Sequence, residues 1–248
     1  MEFADGGALR NYLKHNFNKL SWGDKSNLAS QLACAVSCLH DEGIVHRDLH
    51  SGNILIHQGV IKLADFGLSK RIEAATNQLK VFSVIPYVDP KSFIRKYDNT
   101  SQQYRLNEKS DVYSVGVLLW ELTSGLPPFH DKDEVYDIGL AIEISQGLRE
   151  SIVSGTPEDY VKIYIDCWDN EPDNRPSMNK VIDELNAIIT KANIIDFPTI
   201  TANADIAKQY ALCLAREADP DGLRNERIKR IYIIRNQSSV KSDESDDS

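Results

Sequence analysis

The chain has 248 residues and a formal net charge of −9; 42% of its residues are hydrophobic and 26% are charged. This composition excludes wholesale disorder, and the acidic balance argues against a nucleic-acid-binding protein that depends on bulk positive charge. No apolar run approaches the roughly 18–20 residues needed to span a bilayer, and the first residues lack the basic and apolar segments of a secretion signal. Four cysteines are too few for a disulfide framework, so we expect reduced thiols and a cytoplasmic protein.

The first half of the sequence predicts one long helix followed by a β-hairpin. Ser21, with an acidic residue three positions later, is typical of a helix N-cap, and the apolar spacing that follows predicts a helix over 21–41. The β-rich runs 53–57 and 60–64 are separated by a Gln-Gly pair, which predicts a hairpin. Residues 67–107 are irregular, and a connection of that length is typically functional or mobile.

The second half of the sequence is mainly helical. Apolar residues at helical spacing predict five helices, at 112–122, 134–146, 157–169, 178–189 and 204–218. Beyond Lys191 the composition changes, with a basic stretch from Arg224 to Arg235 and an end rich in Ser, Asp and Glu that we expect to be disordered.

Two short motifs point to chemistry. The first reads H-R-D-L-H-S-G-N from His46 to Asn53, and the second, D-F-G, begins at Asp65, twelve residues after Asn53. Either motif alone could arise by chance. In this order, joined by a predicted hairpin, they match the catalytic-loop and metal-loop signature of protein kinases.

The chain resembles the C-terminal lobe of a eukaryotic protein kinase, most closely the tyrosine-kinase-like group. Further along, S-D-V-Y-S-V-G from Ser110 resembles the start of the family's central buried helix, and Cys167-Trp168 with Arg175-Pro176 resembles its late C-W…R-P element. The resemblance implies a mostly α (α+β) fold, helical with a small β-hairpin at the catalytic site. It implies a kinase lobe over 1–191 that starts at the hinge, followed by a helical extension over 192–236 of unknown role and an acidic disordered tail over 237–248.

The resemblance also implies roles for individual residues in phosphoryl transfer from ATP with Mg²⁺. The implied catalytic residues are Asp48, which would accept or orient the acceptor hydroxyl, Asn53, His50, and Arg47, which would pair with an activation-loop phosphate. Asn53 and Asp65 would bind Mg²⁺, since this ion prefers oxygen ligands. For the nucleotide, the resemblance implies that the backbone of the hinge residues Glu2 and Ala4 binds adenine and that Leu55 forms the apolar floor beneath the base.

The sequence departs from the family pattern at its start. It has no G-x-G-x-x-G loop and no V-A-I-K lysine, both of which should precede the hinge, and Met1 stands just before the hinge-like residues. We therefore expect the N-terminal lobe to be absent, either because the gene model is truncated or because the product is a single lobe.

Three substitutions lie within the motifs. His50 stands where Ser/Thr kinases usually have a lysine that contacts the γ-phosphate, and Gly52 stands where tyrosine kinases usually have arginine, so the acceptor type stays open. In the element that corresponds to A-P-E, Lys91 replaces the glutamate that normally pairs with the arginine matched by Arg175. These two cations would repel each other unless Asp89 or another acid intervenes.

We therefore predict a protein kinase that transfers phosphoryl groups to Ser or Thr hydroxyls of a protein substrate, with Tyr as the alternative acceptor. The runner-up is a catalytically inactive pseudokinase or lobe-only scaffold in signalling, and the C-terminal extension is a candidate contact for a protein partner. Zinc at Cys34, Cys38 and His40 is disfavoured, because cysteines on a helix are more often buried small hydrophobic residues. A metal hydrolase at His46 and His50 is disfavoured because H-E-x-x-H needs a glutamate and a helix.

Overall fold

The computed structural model describes residues 4–66, 70–71, 84–93, 105–130, 136–191 and 197–218 of the chain. The described residues are mostly helical, as the sequence predicts. The helices are α1 (Leu9–Asn16), α2 (Trp22–Asp41), α3 (Glu108–Ser124), α4 (Ile138–Ser145), α5 (Glu158–Cys167), α6 (Met178–Lys191) and α7 (Phe197–Ala218). None of the helices in these ranges combines the length and apolar character needed to cross a membrane.

Two small antiparallel sheets accompany the helices. Their strands are β1 (Gly7–Ala8), β2 (Ile44–Val45), β3 (Ile54–His57), β4 (Val60–Leu63) and β5 (Lys70–Arg71). The first sheet has the order β1-β3-β4, and β2 pairs with β5 in the second. The β3–β4 pair confirms the predicted hairpin; its turn has left-handed backbone at Gln58 (φ 51°) and Gly59 (φ 75°).

Helix α2 begins as the sequence predicts. The Ser21 hydroxyl accepts the Asp24 amide N–H at 3.2 Å, and the Asp24 carboxylate accepts the Ser21 amide N–H at 2.8 Å. This capping box satisfies two backbone donors that the first helical turn would otherwise leave unpaired.

Helix α3 lies at the centre of the fold. Every residue from 110 to 123 is buried, which explains why the helix shows no polar face. It begins at the cap residue Asn107 and ends at Gly125, whose φ of 72° suits glycine. At Gly116 a Cβ would lie 2.8 Å from the Cβ of Cys167, so the missing side chain permits close packing against α5.

Three helices differ at their start from the predicted bounds, and the first of them, α3, begins at Glu108 instead of Val112. Helix α4 begins at Ile138, because the Asp137 carboxylate caps it by accepting the Leu140 amide N–H at 2.9 Å; of the residues predicted before it, 134 and 135 lie outside the described residues. Helix α7 begins at Phe197 instead of Ala204. A proline is tolerated in a first helical turn, so Pro198 does not prevent this earlier start. The basic stretch 224–235 and the acidic tail lie outside the described residues.

Candidate active site

The loop that joins β2 to β3, residues 46–53, contains the first motif. Arg47 has φ 70°, a left-handed conformation that is uncommon for a residue with a side chain. The Asp111 carboxylate at the start of α3 accepts the amide N–H groups of His46 and Arg47, each at 2.8 Å. Two charge-assisted hydrogen bonds offset the strain of about 1–3 kcal/mol that such backbone costs.

Asp48 and Asn53, five residues apart, meet within this loop. The Asn53 side-chain Nδ2 donates to the Asp48 backbone carbonyl at 2.9 Å and to the Asp48 carboxylate Oδ2 at 3.2 Å. The two bonds close the loop and fix both side chains. Because Nδ2 is held by Asp48, the amide oxygen Oδ1 of Asn53 is directed away from that carboxylate.

Asp65 follows strand β4 and is brought next to Asn53 by the hairpin. The Ala64 amide N–H donates to the Asn53 carbonyl at 2.8 Å. Asp65 is exposed and has φ 58°, so its carboxylate is presented from a left-handed turn instead of continuing the strand. Phe66 is buried behind it, and Gly67, the last residue of the motif, lies outside the described residues.

Asn53 and Asp65 fit a magnesium ion. Mg²⁺ usually takes one or two protein oxygens and completes its shell with water and phosphate oxygens. An exposed carboxylate and an amide oxygen on neighbouring backbone supply that donor set. Within the described ranges, no group of three or more His, Cys, Asp and Glu residues is placed to hold a metal, the arrangement that zinc would require.

His50 lies beside Asp48, with its Nε2 3.8 Å from Oδ1 of that carboxylate. The Gly52 amide N–H donates to His50 Nδ1 at 3.1 Å, so Nδ1 is unprotonated and the ring carries its proton on Nε2. A Cβ on residue 52 would lie 2.9 Å from two ring atoms, which means that the imidazole occupies the space of a side chain there. Burial lowers the pKa of His50 and the Arg10 guanidinium adds to this effect, so both favour the neutral ring.

The Arg47 side chain extends towards Leu106, just before α3. One guanidinium nitrogen, Nη2, is 3.4 Å from the Leu106 carbonyl, and the buried Nε has no hydrogen-bond partner in the part of the chain that the structure describes. Burial lowers the pKa of Arg47, although Asp111 opposes this effect. A half-buried guanidinium with an unused donor fits an anion such as a phosphate.

Of the predicted nucleotide contacts, Leu55 lies on the three-stranded sheet. Leu55 is half-buried on β3, and it pairs in register with Ala8 of β1 and Lys62 of β4. Ala4 precedes β1, where its carbonyl accepts the Gly7 amide N–H at 3.1 Å. Glu2 lies outside the described residues. The structure therefore places Leu55 in β3, directly after the loop that ends at Asn53, and Ala4 just before β1.

His46 is a packed residue. It is fully buried, its ring lies 4.8 Å from the Phe66 ring between centroids, and burial lowers its pKa. Cys34, Cys38 and His40, the disfavoured zinc site, do not have the environment of metal ligands. Burial raises the pKa of the Cys34 thiol and raises that of Cys38 to about 11, while His40 Nε2 donates to Asp111 at 3.0 Å.

The structure resolves the substitution at Lys91. Arg175 is fully buried and donates through Nη1 to Asp89 Oδ2 at 2.8 Å and through Nη2 to Asp89 Oδ1 at 3.1 Å. Lys91 instead points outward and pairs with Glu171 at 2.6 Å. Asp89 thus replaces the family's glutamate as the partner of the arginine, the alternative that the sequence left open.

Sequence reasoning missed a second polar cluster beneath the loop. The Tyr87 hydroxyl donates to the buried Glu121 carboxylate at 2.7 Å and lies 3.1 Å from the Ser51 hydroxyl, while Arg10 Nη2 donates to the Tyr87 oxygen at 3.3 Å. It also missed the role of Asp111, which had been assigned to the core helix. A buried acid in an otherwise apolar helix was the available signal for both.

The loop is therefore held by Asp111 near its start, and Asn53 at its end binds Asp48 and lies beside the residue that precedes Asp65. The chain matches the family model "Protein tyrosine and serine/threonine kinase" over residues 1–185. The chain therefore belongs to the protein kinase family.

Two relatives illustrate the similarity. A probable LIM domain-containing serine/threonine-protein kinase of Dictyostelium discoideum is 30% identical over 189 residues, which are 75% of this chain and 27% of the relative. The leaf rust 10 disease-resistance locus receptor-like protein kinase-like 1.3 of Arabidopsis thaliana is 31% identical over an alignment 253 residues long. The alignment covers 92% of this chain and 35% of the relative. The chain thus spans about a third or less of the length of these relatives.

Proposed function

We propose that this chain transfers the γ-phosphoryl group of ATP to the hydroxyl of a Ser or Thr residue, or alternatively Tyr, in a protein substrate, within the tyrosine-kinase-like group. The observation that carries the proposal is the bonding of Asn53 to Asp48 together with the backbone link from Asn53 to the residue before Asp65. These contacts hold the three groups of the motif in one place.

Each residue has a defined part in the proposed reaction. Asp48 accepts the proton of the acceptor hydroxyl while that oxygen attacks the γ-phosphorus and ADP leaves. Asn53 fixes the Asp48 carboxylate through Nδ2 and offers Oδ1 to the metal side of the site, where Asp65 supplies the second oxygen. Mg²⁺, when bound, supplies the positive charge that offsets the charge of the phosphates.

His50 and Arg47 contribute in different ways. With its proton on Nε2, His50 donates a hydrogen bond to the γ-phosphate beside Asp48. Because the ring is neutral, this bond is weaker than the contact of a charged lysine. Arg47 binds a phosphate on the activation loop, and its unused Nε supports this role. A cytoplasmic location and a protein partner that binds the C-terminal extension complete the proposal.

The test is Mg²⁺·ATP binding to the 248-residue chain by calorimetry, followed by transfer of labelled phosphate to mixed Ser, Thr and Tyr peptides. We expect micromolar, Mg²⁺-dependent binding that Asp65→Ala removes and that Asp48→Ala retains, with transfer lost in both variants. Asp166→Ala, at an exposed position on α5, is the control. Phosphoamino-acid analysis of the product then decides the acceptor type.

No binding by a well-folded chain would contradict the proposal for this chain. It would place the activity in a longer product of the same gene, or favour the runner-up, a scaffold without catalysis. Transfer at wild-type rates in both Asp variants would overturn the assignment of the site.

A further inference from the structure

Helix α7 lies beyond the residues that match the family model, and it packs against the hairpin of the candidate site. The family match ends at residue 185, and α7 spans Phe197–Ala218. Small residues on one side of α7 are buried against the lobe: Ala204, Ala207 and Ala211 are 6%, 0% and 0% exposed. Their small side chains allow α7 to lie close to α2 and β4, the two elements that it contacts most.

Strand β4 is covered on both of its faces. All four of its residues are buried, although neighbouring side chains of a strand point to opposite faces. At the free edge of β4, the Gln31 side-chain oxygen of α2 accepts the Ile61 amide N–H at 2.8 Å. On one face the Tyr210 ring of α7 covers Lys62, whose ammonium lies 3.7 Å from the ring centre, and Lys62 is only 7% exposed.

The face that α7 covers continues towards the proposed nucleotide site. Lys62 and Leu55 are directly opposite each other in the β3–β4 register, and opposite residues of an antiparallel pair share a face of the sheet. The Tyr210 ring thus covers the cross-strand neighbour of Leu55, the proposed adenine floor. Two residues beyond the end of β4 stands Asp65, the proposed metal ligand.

A sheet of this size needs such a cover. Its strands have two, four and four residues, and small sheets of short strands depend on packing against other elements for their order. Lys208 gives a second indication that α7 packs closely against α2. Burial raises the pKa values of the Cys34 and Cys38 thiols on α2, and the positive charge of Lys208 opposes this effect.

We propose that α7 is a positioning segment of the nucleotide site, and that its docking on β4 is coupled to the binding of Mg²⁺·ATP at Leu55 and Asp65. This inference rests on the proposed function. Coupling between two sites is reciprocal, so release of α7 weakens nucleotide binding and bound nucleotide holds α7 more firmly. Tyr210 is the positioning residue, because its ring covers the cross-strand neighbour of Leu55.

The experiment uses the full chain and one pair of matched variants. Ala207→Glu places a charge in the buried contact, and Ile206→Glu places the same charge at the neighbouring, 39% exposed position. We expect Ala207→Glu to raise the Kd for Mg²⁺·ATP about tenfold or more and to speed amide hydrogen exchange in α7 and β4. We expect Ile206→Glu to stay within about twofold of the wild-type Kd.

A second pair of variants is milder and keeps the test valid if Ala207→Glu does not fold. Tyr210→Ala removes the ring over Lys62, while Tyr210→Phe retains it and should restore the wild-type Kd. In the wild-type chain, saturating Mg²⁺·ATP should slow amide exchange in α7, which a helix with a merely structural role would not do.

The outcomes separate this inference from the proposed function. If Ala207→Glu or Tyr210→Ala speeds exchange in α7 while β4 exchange and the Kd for Mg²⁺·ATP stay unchanged, the coupling is wrong and the proposed function stands. If the wild-type chain binds no Mg²⁺·ATP, the proposed function fails for this chain and the coupling to nucleotide fails with it. The exchange of β4 in the variants then still measures whether α7 orders the hairpin.

Discussion

Helix α3 contains two buried carboxylates that face the same loop and differ in charge state. Asp111 is fully buried, yet the hydrogen bond and charge of His40, the charge of His46 and the Arg47 amide outweigh burial and lower its pKa. Glu121 is 1% exposed, and burial raises its pKa to about 7 despite hydrogen bonds from Tyr87 and Ser51 and the charge of Arg10. Burial alone therefore does not decide the charge of an acid; the number and strength of its donors do.

The two acids hold opposite ends of the loop. They are ten residues apart, which is about 15 Å along a helix. Asp111 binds the backbone at His46 and Arg47, and Glu121 acts through the Tyr87 hydroxyl, which lies next to Ser51. The first contact fixes a left-handed backbone by charge, and the second supports the loop through neutral hydroxyl groups.

Removing the charge of Asp111 should have the largest effect. Asp111→Asn replaces one accepting oxygen with a donor that faces the His40 and backbone N–H groups, and leaving buried donors unpaired is costly. We expect the free energy of unfolding to fall by about 3–5 kcal/mol. Urea unfolding followed by circular dichroism measures it, and a loss below about 1 kcal/mol would show that the amide contacts contribute little.

Glu121 should make stability depend on pH in the opposite direction from Asp111. Its pKa is raised from 4.5 to about 7 in the folded chain, so its stabilising contribution is complete below pH 4.5 and is lost as the pH rises through 7. That loss amounts to about 3 kcal/mol. Asp111, with its lowered pKa, stabilises above its ordinary value of 3.8 and loses that contribution as the pH falls.

The variant Glu121→Gln tests this prediction. Glutamine still accepts the Tyr87 hydrogen bond and does not titrate, so its stability should fall less than that of the wild type between pH 5 and pH 8. The difference between the two urea curves at each pH cancels the titration of all other groups. Parallel curves would mean that Glu121 is ionised throughout and that its donors match those of Asp111.

Tyr87→Phe should have a smaller effect that also depends on pH. The change removes the hydroxyl that donates to Glu121 at 2.7 Å, and we expect a cost of about 1–2 kcal/mol. The cost should be greater at pH 8 than at pH 5, because the carboxylate needs the donor more than the protonated acid does. Combining Tyr87→Phe with Glu121→Gln should remove that pH dependence.

The smallest effect is expected at the exposed pair of Lys162 and Asp166. Their side chains are 3.1 Å apart but 64% and 34% exposed, so water screens the attraction. Asp166→Asn should change the free energy of unfolding by about 0.5 kcal/mol or less, and added salt should abolish the change. A larger effect would mean that carboxylates stabilise this protein even where water surrounds them, and that burial and donor number on α3 do not decide their contribution.

Much of the fold and the site could be predicted because their signals are local in the chain. The cap at Ser21, the hairpin turn at Gln58 and the motif from His46 to Asn53 each depend on a few neighbouring residues. The contacts that hold the loop could not be predicted, because Asp111 and Glu121 lie 65 and 70 residues from the groups that they hold, His46 and Ser51. Within the sequence of α3, both acids look like interruptions of an apolar pattern.

The sequence by itself determined which chemistry is available: an Asp and an Asn at loop spacing, a second Asp after a hairpin, and a His where a lysine is usual. Only the tertiary structure decided how these groups are held and charged, because burial and donor count depend on packing between distant segments. It also decided that Asp89 and not Lys91 meets Arg175, and that α7 covers the hairpin. Local patterns select residue types, whereas the energy of a buried charge depends on which other residues lie next to it.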